Sequence, residues 1–130
     1  MGSSLDKVIA NTIEKSLVFY DYELTLPLTN FMFQSPLHWN VMTIIALASY
    51  KDNFETSFQN ICDAISSKTG SKSSIQSIIE EGIIRGFIEK KALERDKRIK
   101  SLTLTHKAKN DFSKWIVADA ETYLPIIKPS

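Results

Sequence analysis

The side chains of this chain best suited to chemistry are donors of hydrogen bonds and of positive charge, and they fall in two clusters. Lys72, Ser73, Ser74, Gln76 and Ser77 crowd into one short segment, and Arg95, Lys97 and Arg98 bracket Asp96 between two runs of alternating polarity. Ammonium and guanidinium groups neutralise phosphates, while hydroxyls and a carboxamide reach base edges; Gln76 is able to form a bidentate pair with adenine. This is chemistry for holding a polyanion. The other reactive side chains point elsewhere. His38 and His106 lack the Cys, His or carboxylate spacing of a metal site, and the single Cys62 excludes an intramolecular disulfide. Cys62 falls on the apolar side of a helical pattern, where it reads as a small core residue. There is no phosphate loop, nucleophile elbow, zinc-protease pattern or carboxylate pair spaced for acid–base work, so the expectation is a protein that is not an enzyme and has no cofactor.

Charge is distributed unevenly along the 130 residues. The formal net charge is only +1, yet residues 1–65 carry three lysines against seven acidic residues, whereas residues 66–109 carry eleven cations against five anions. An acidic first half and a basic middle mark a polyanion-facing surface. A hydrophobic share of 43% and a charged share of 24% suit a core able to fold unaided. The longest strongly apolar stretch, Val41 to Leu47, is far short of the roughly 20 residues that cross a bilayer, and no charged-then-apolar leader is apparent. Met1-Gly2 carries no functional weight, because Asp6 stands where a myristoylation signal needs Ser or Thr. A cytoplasmic protein without membrane contact is expected.

Elements that would position the two clusters follow from periodicity. Leu5, Ile9, Ile13, Leu17 and Tyr20 predict a first helix over about 5–20. Residues 21–34, with Pro27, Tyr22, Phe31 and Phe33, read as an extended connection. The aromatic-rich stretch from Phe19 to Trp39 reads as core or dimer interface, with a small-ligand pocket as the sharper alternative. Ser35-Pro36 predicts a capped helix start, with Val41, Ile44, Ile45 and Ala48 as its core face to about Tyr50. After the polar break Lys51–Thr56, the residues Phe58, Ile61, Cys62 and Ile65 mark a short amphipathic helix ending near Lys68. Gly70 is expected to turn the chain in a left-handed conformation and Ser71 to cap the next helix, whose Ile75, Ile78, Ile79 and Ile83 face inward. Gly82, costing about 1 kcal/mol relative to alanine in a helix, predicts a bend or an early end there. Phe87 to Lys91 and Leu102 with Leu104 predict a hairpin with a basic tip. Thr105 then caps a last helix whose stripe is Ala108, Phe112, Trp115, Ile116 and Tyr123, with Pro125 and Pro129 closing the chain.

Helix, tight turn, helix and basic hairpin form the order of a winged helix-turn-helix. Over about 35–115 the residues resemble the MarR family of bacterial and archaeal regulators. The run Gly86-Phe87-Ile88-Glu89-Lys90, then Asp96-Lys97-Arg98 and Leu102-Thr103-Leu104-Thr105, looks like the family's strand, its Asp-x-Arg wing and its second strand. Pro36-Leu37-His38-Trp39-Asn40-Val41 is similar to the start of the family's second helix, and Ser71-Lys72-Ser73-Ser74-Ile75 to the start of its recognition helix. The resemblance implies a homodimer paired through its first and last helices, with Arg98 entering a minor groove and Asp96 holding the wing in shape. It also implies that small aromatic effectors are within the family's range.

The expected architecture is mainly α with a small β-hairpin wing (α+β). A single winged-helix domain is laid out as an N-terminal helix and connection over 1–34, a core over 35–105 and a C-terminal helix over 106–130. The expected function is sequence-specific recognition of double-stranded DNA by a transcriptional regulator, repression being the expected mode. The recognition helix over about 71–85 would lie in the major groove and the wing over about 91–100 in the minor groove. Lys72, Ser73, Ser74, Gln76, Ser77, Arg95, Lys97 and Arg98 would face DNA. The alternative is a winged-helix module that docks a protein, which would expose apolar residues on that helix.

Overall fold

The structure is a computed structural model that describes the backbone of residues 3–51 and 54–127. Met1-Gly2, part of the polar break at 52–53, and Pro129 lie outside the described residues, as do the side-chain surroundings of residues 18–25, which include Phe19, Tyr20 and Tyr22. Six helices and one hairpin are described: α1 Ser3–Thr25, α2 Pro27–Met32, α3 Pro36–Tyr50, α4 Phe58–Ala64, α5 Lys72–Ile84, β1 Ile88–Ala92, β2 Lys100–Leu104 and α6 His106–Ile127. The chain forms two compact units, one of Phe31–Asn110 and one of the residues up to Asn30 with those from Asp111 onward.

The expected extended connection is helical. α1 continues to Thr25, and Pro27 opens α2 at a position where its missing N–H costs no bond. Leu28, Phe31 and Met32 are buried at helical spacing, i, i+3, i+4, a pattern that the proline and the aromatics concealed. Phe31 is a hub of the larger unit. Its ring meets the His38 ring edge-on at 5.2 Å and the Phe87 ring at 5.4 Å, and the Arg85 guanidinium lies 5.7 Å above it.

α3 starts as expected, the Ser35 hydroxyl accepting from the His38 N–H at 3.1 Å. Its buried face is Leu37, Val41, Met42, Ile45 and Ala46, one step round from the predicted one; Ile44 and Ala48 are only half-buried. α4 ends at Ala64, earlier than Lys68, with Ile65 as its C-cap. Cys62 is half-buried, not a full core residue. Gly70 does not take the left-handed conformation, since Gly86 is the one glycine described with positive φ. What Gly70 supplies is room: a Cβ there would collide with the Leu37 side chain.

α5 runs through Gly82 without ending. Gly82 rather than Ile83 completes its buried face, because the Ile88 side chain of β1 presses so closely that a Cβ would collide with it. The helix terminates at Gly86, whose φ of 81° lets the Phe87 N–H reach the Gly82 carbonyl at 2.8 Å and the Gly86 N–H the Ile83 carbonyl at 3.1 Å. Those two crossed bonds are the Schellman arrangement, which sends the chain into β1. β1 pairs antiparallel with β2, Ile88 opposite Leu104 and Lys90 opposite Leu102. The Leu104 N–H donates to the Ser49 hydroxyl of α3 at 2.9 Å, and the Leu102 N–H to the Thr56 carbonyl at 2.7 Å. The hairpin is thus fixed to both α3 and the segment that leads into α4.

Thr105 caps α6 as predicted, accepting from the Ala108 N–H at 3.2 Å. Ala108, Phe112 and Trp115 are buried, but Ile116 and Tyr123 are exposed, and the helix passes through Pro125 to Ile127.

Candidate nucleic-acid interface

The first turn of α5 carries one of the two predicted clusters. Ser71 caps the helix, its hydroxyl accepting from the Ser74 N–H at 3.2 Å and lying 3.1 Å from the Ser73 hydroxyl. Ser71 also donates to the Ser74 hydroxyl at 3.0 Å, so the three serines form one local network at the positive end of the helix. Lys72, Ser73, Ser74 and Ser77 are exposed and Gln76 is half-buried. The carboxylates nearby are engaged: Gln76 Nε2 donates to Glu80 Oε1 at 3.1 Å, and Glu81 pairs with Arg85 at 2.9 Å.

The second cluster is the loop between the strands. Asp96 accepts three bonds from one residue: the Arg98 N–H at 3.1 Å, Nε at 3.1 Å and Nη2 at 3.0 Å. Those bonds hold its carboxyl below the usual carboxylate range, the guanidinium contributing most. The Arg98 side chain is 90% exposed. Lys97 is exposed, and its carbonyl accepts from the Lys100 ammonium at 3.3 Å. Arg95 is engaged with Glu55 by two bonds, one of them Nε to Oε1 at 3.1 Å. That guanidinium lowers the pKa of the Glu55 carboxyl.

The fold brings part of the two clusters together. A cleft of about 370 Å³ is lined by Gln76 of α5, Arg98 of the loop, Gln59 of α4, and Lys90 and Lys100 of the strands, over a floor that includes Phe58, Ile79 and Leu102. Ser73, Ser74 and Ser77 line a separate open groove of about 780 Å³ with Glu80, Glu81, Leu37 and Ile84. Lys90, Lys100 and Gln59 were missed as individual residues. The signal for the two lysines was the alternation of the strands: Lys90 shares a face with Ile88, and in the observed register it sits opposite Leu102 while Lys100 sits opposite Ala92. Gln59 gave no comparable signal.

The histidines and the cysteine stand outside this surface. His38 Nδ1 lies 2.7 Å from the Ser35 hydroxyl, and burial lowers its pKa. Burial likewise raises the Cys62 thiol, which argues against a reactive thiolate. Among the described residues no group of three His, Cys, Asp or Glu side chains is placed to hold a metal, and no helix is long and apolar enough to cross a membrane.

Solved structures share this architecture. A glycine-to-arginine variant of MepR from S. aureus superposes with a TM-score of 0.65 at 12% identity, covering 98% of this chain and 80% of that one. The heme sensor protein PefR from Streptococcus agalactiae, in complex with heme, matches with a TM-score of 0.53 at 20% identity over 99% of this chain and 82% of its own. The fold is a winged helix-turn-helix. NadR in complex with 4-hydroxyphenylacetate is also similar, at 16% identity and a TM-score of 0.54, over 88% of this chain and 77% of its own. In the terms of that fold, α4 and α5 are the helix-turn-helix, and β1, β2 and their loop are the wing. No protein-family model matches the sequence, and a search of curated proteins finds no match.

Proposed function

We propose that this protein is a homodimeric transcriptional regulator that recognises double-stranded DNA in a sequence-specific way, acting as a repressor. The observation that carries the reading is the cleft shared by recognition helix and wing. Gln76 and Arg98, 22 positions apart in sequence, line one cavity whose rim also holds Lys90 and Lys100 and no carboxylate. A surface of that kind suits a strand of nucleic acid passing from a major to a minor groove. In this reading Lys72, Ser73, Ser74, Gln76 and Ser77 face the major groove, and Lys97 and Arg98 reach the minor groove. A guanidinium suits the narrow, electronegative groove, and Asp96 shapes the loop that presents it.

The dimer part of the proposal is supported by exposed apolar side chains on the terminal helices. Leu5, Ile9, Ile13 and Leu17 of α1 form one stripe at i, i+4, i+8 and i+12, and all are exposed, as are Ile116, Val117, Tyr123, Leu124 and Ile126 of α6. Two similar structures hold a small molecule, so an effector is included in the proposal without a chemical class. A two-fold dimer requires half-sites about 34 Å apart in an inverted repeat.

The test is selection from a random duplex pool near physiological salt, with Arg98→Ala in parallel. An inverted repeat that the variant binds about tenfold or more weakly supports the reading. No preferred sequence, with equal weak retention of both proteins, overturns it in favour of a module that docks a protein. Ile84, the most exposed apolar residue of α5, is where that second reading would begin.

A further inference from the structure

We propose that Arg95 and Glu55 form a strut that sets the wing against the helix-turn-helix, so that Arg95 serves DNA binding by positioning the wing and not by touching DNA. The proposal rests on the DNA-binding reading above. Glu55 stands on an immobilised backbone. The next residue, Thr56, is fully buried, and its carbonyl accepts the Leu102 N–H of β2 at 2.7 Å. One residue further, Ser57 caps α4 in a reciprocal capping box with Asn60. Arg95 stands on the opposite part, in the loop between the strands. Its Nε and Nη2 donate to the two oxygens of Glu55, a fork-to-fork pair across 40 residues of sequence.

What lies beside the pair explains its use. A cavity of about 160 Å³, lined by Ser57, Asn60, Leu93 and Ile99 with the pair itself, separates the wing loop from the start of α4. The ion pair lines that cavity and bridges the wing loop and the segment that leads into α4. The other wing arginine differs on each count. Arg98 is paired two residues away, so its bonds shape the loop without tying it to another element.

The decisive measurement is duplex binding by the full chain across a salt series for Arg95→Gln, Glu55→Gln and the double variant, with Arg98→Ala as a direct-contact control. A strut predicts that each single change weakens binding to a similar degree, up to about fivefold for an exposed pair, and that the double variant is no weaker than either. The salt slope stays that of the unmodified chain. The sign for Glu55→Gln decides the matter, because removing a negative charge beside DNA strengthens binding on electrostatics alone. Stronger binding by Glu55→Gln, with Arg95→Gln losing about 0.9 from the slope, overturns the strut and makes Arg95 a phosphate contact. A second readout needs no DNA. Trypsin cleavage after Lys97 and Arg98 should be faster in Glu55→Gln at an unchanged thermal midpoint, and equal cleavage rates overturn the strut. Failure of every form to bind DNA, with the wing cleaved faster, removes the functional reading and leaves the wing restraint standing.

Discussion

The larger unit of this molecule and the helix α1 treat their periodic apolar residues in opposite ways. In Phe31–Asn110 the isoleucines and leucines that show helical or strand periodicity are mostly inside: Ile45, Ile61, Ile75, Ile79, Ile88 and Leu102 are each 2% exposed or less. On α1, an equally regular stripe of Leu5, Ile9, Ile13 and Leu17 is 39–66% exposed. Periodicity reports that a helix has an apolar side. It does not report whether the covering surface belongs to the same chain. The larger unit holds its own core, and the stripe on α1 is what a second copy would cover in the proposed dimer.

The largest expected effect lies in the self-contained unit. Phe31→Ala leaves a cavity among His38, Phe87, Gly82 and Arg85 and should cost about 3–5 kcal/mol, read as a lower midpoint in urea unfolding. A small cost would mean that α2 contributes little to the core and would blur the contrast between the larger unit and α1. Next is Ile13→Asp. It removes no intrachain burial of consequence, so the single chain should remain folded. Dimer dissociation should rise by roughly a hundredfold or more, given about 1.5–3 kcal/mol for each apolar side chain covered in each copy. Sedimentation of both proteins over a concentration series would show it, and a thermal midpoint independent of concentration in the unmodified chain would remove the dimer.

Smaller effects sharpen the picture inside the larger unit. Gly86→Ala forces a Cβ onto a residue with φ of 81° and should cost about 1–2 kcal/mol in thermal unfolding, although a Cβ there meets no neighbour within 4 Å. That result would separate backbone conformation from crowding, since Gly70 and Gly82 present the reverse case. The smallest effect is the response of His38 to pH. Burial lowers its pKa from 6.5, so the unfolded chain binds the proton more readily and the folded state favours the neutral ring. The stability it contributes is complete above pH 6.5 and is lost as the pH falls through the lowered folded value. His38→Gln should flatten the unfolding free energy over that window relative to the unmodified chain.

Most of the larger unit was legible in sequence because its signals are local. The caps at Ser35, Ser71 and Thr105, the exit at Gly86 and the alternation of Leu102 with Leu104 act within a few residues, and each is where it was expected. The candidate interface was legible in part for the same reason. A basic loop and a polar helix face can be read from composition and period, but the cleft that joins Gln76 to Arg98 depends on how β1 folds back along α5. α2 is hidden in the sequence because a short helix opening on proline carries the same residues as an extended connection, and burial of Leu28, Phe31 and Met32 decides between the two.

The sequence by itself therefore determined the order of the elements from α3 onward, the caps at Ser35, Ser71 and Thr105 and the sign of charge along the chain, all of which follow from interactions between near neighbours. Tertiary structure alone decided which face of α3 is buried, that Gly70 and Gly82 lie tightly against the Leu37 and Ile88 side chains, and that Arg95 finds its carboxylate at Glu55, 40 residues away. Those outcomes depend on distances between residues remote in the chain, and hydrophobic period, propensity and charge count are blind to such distances.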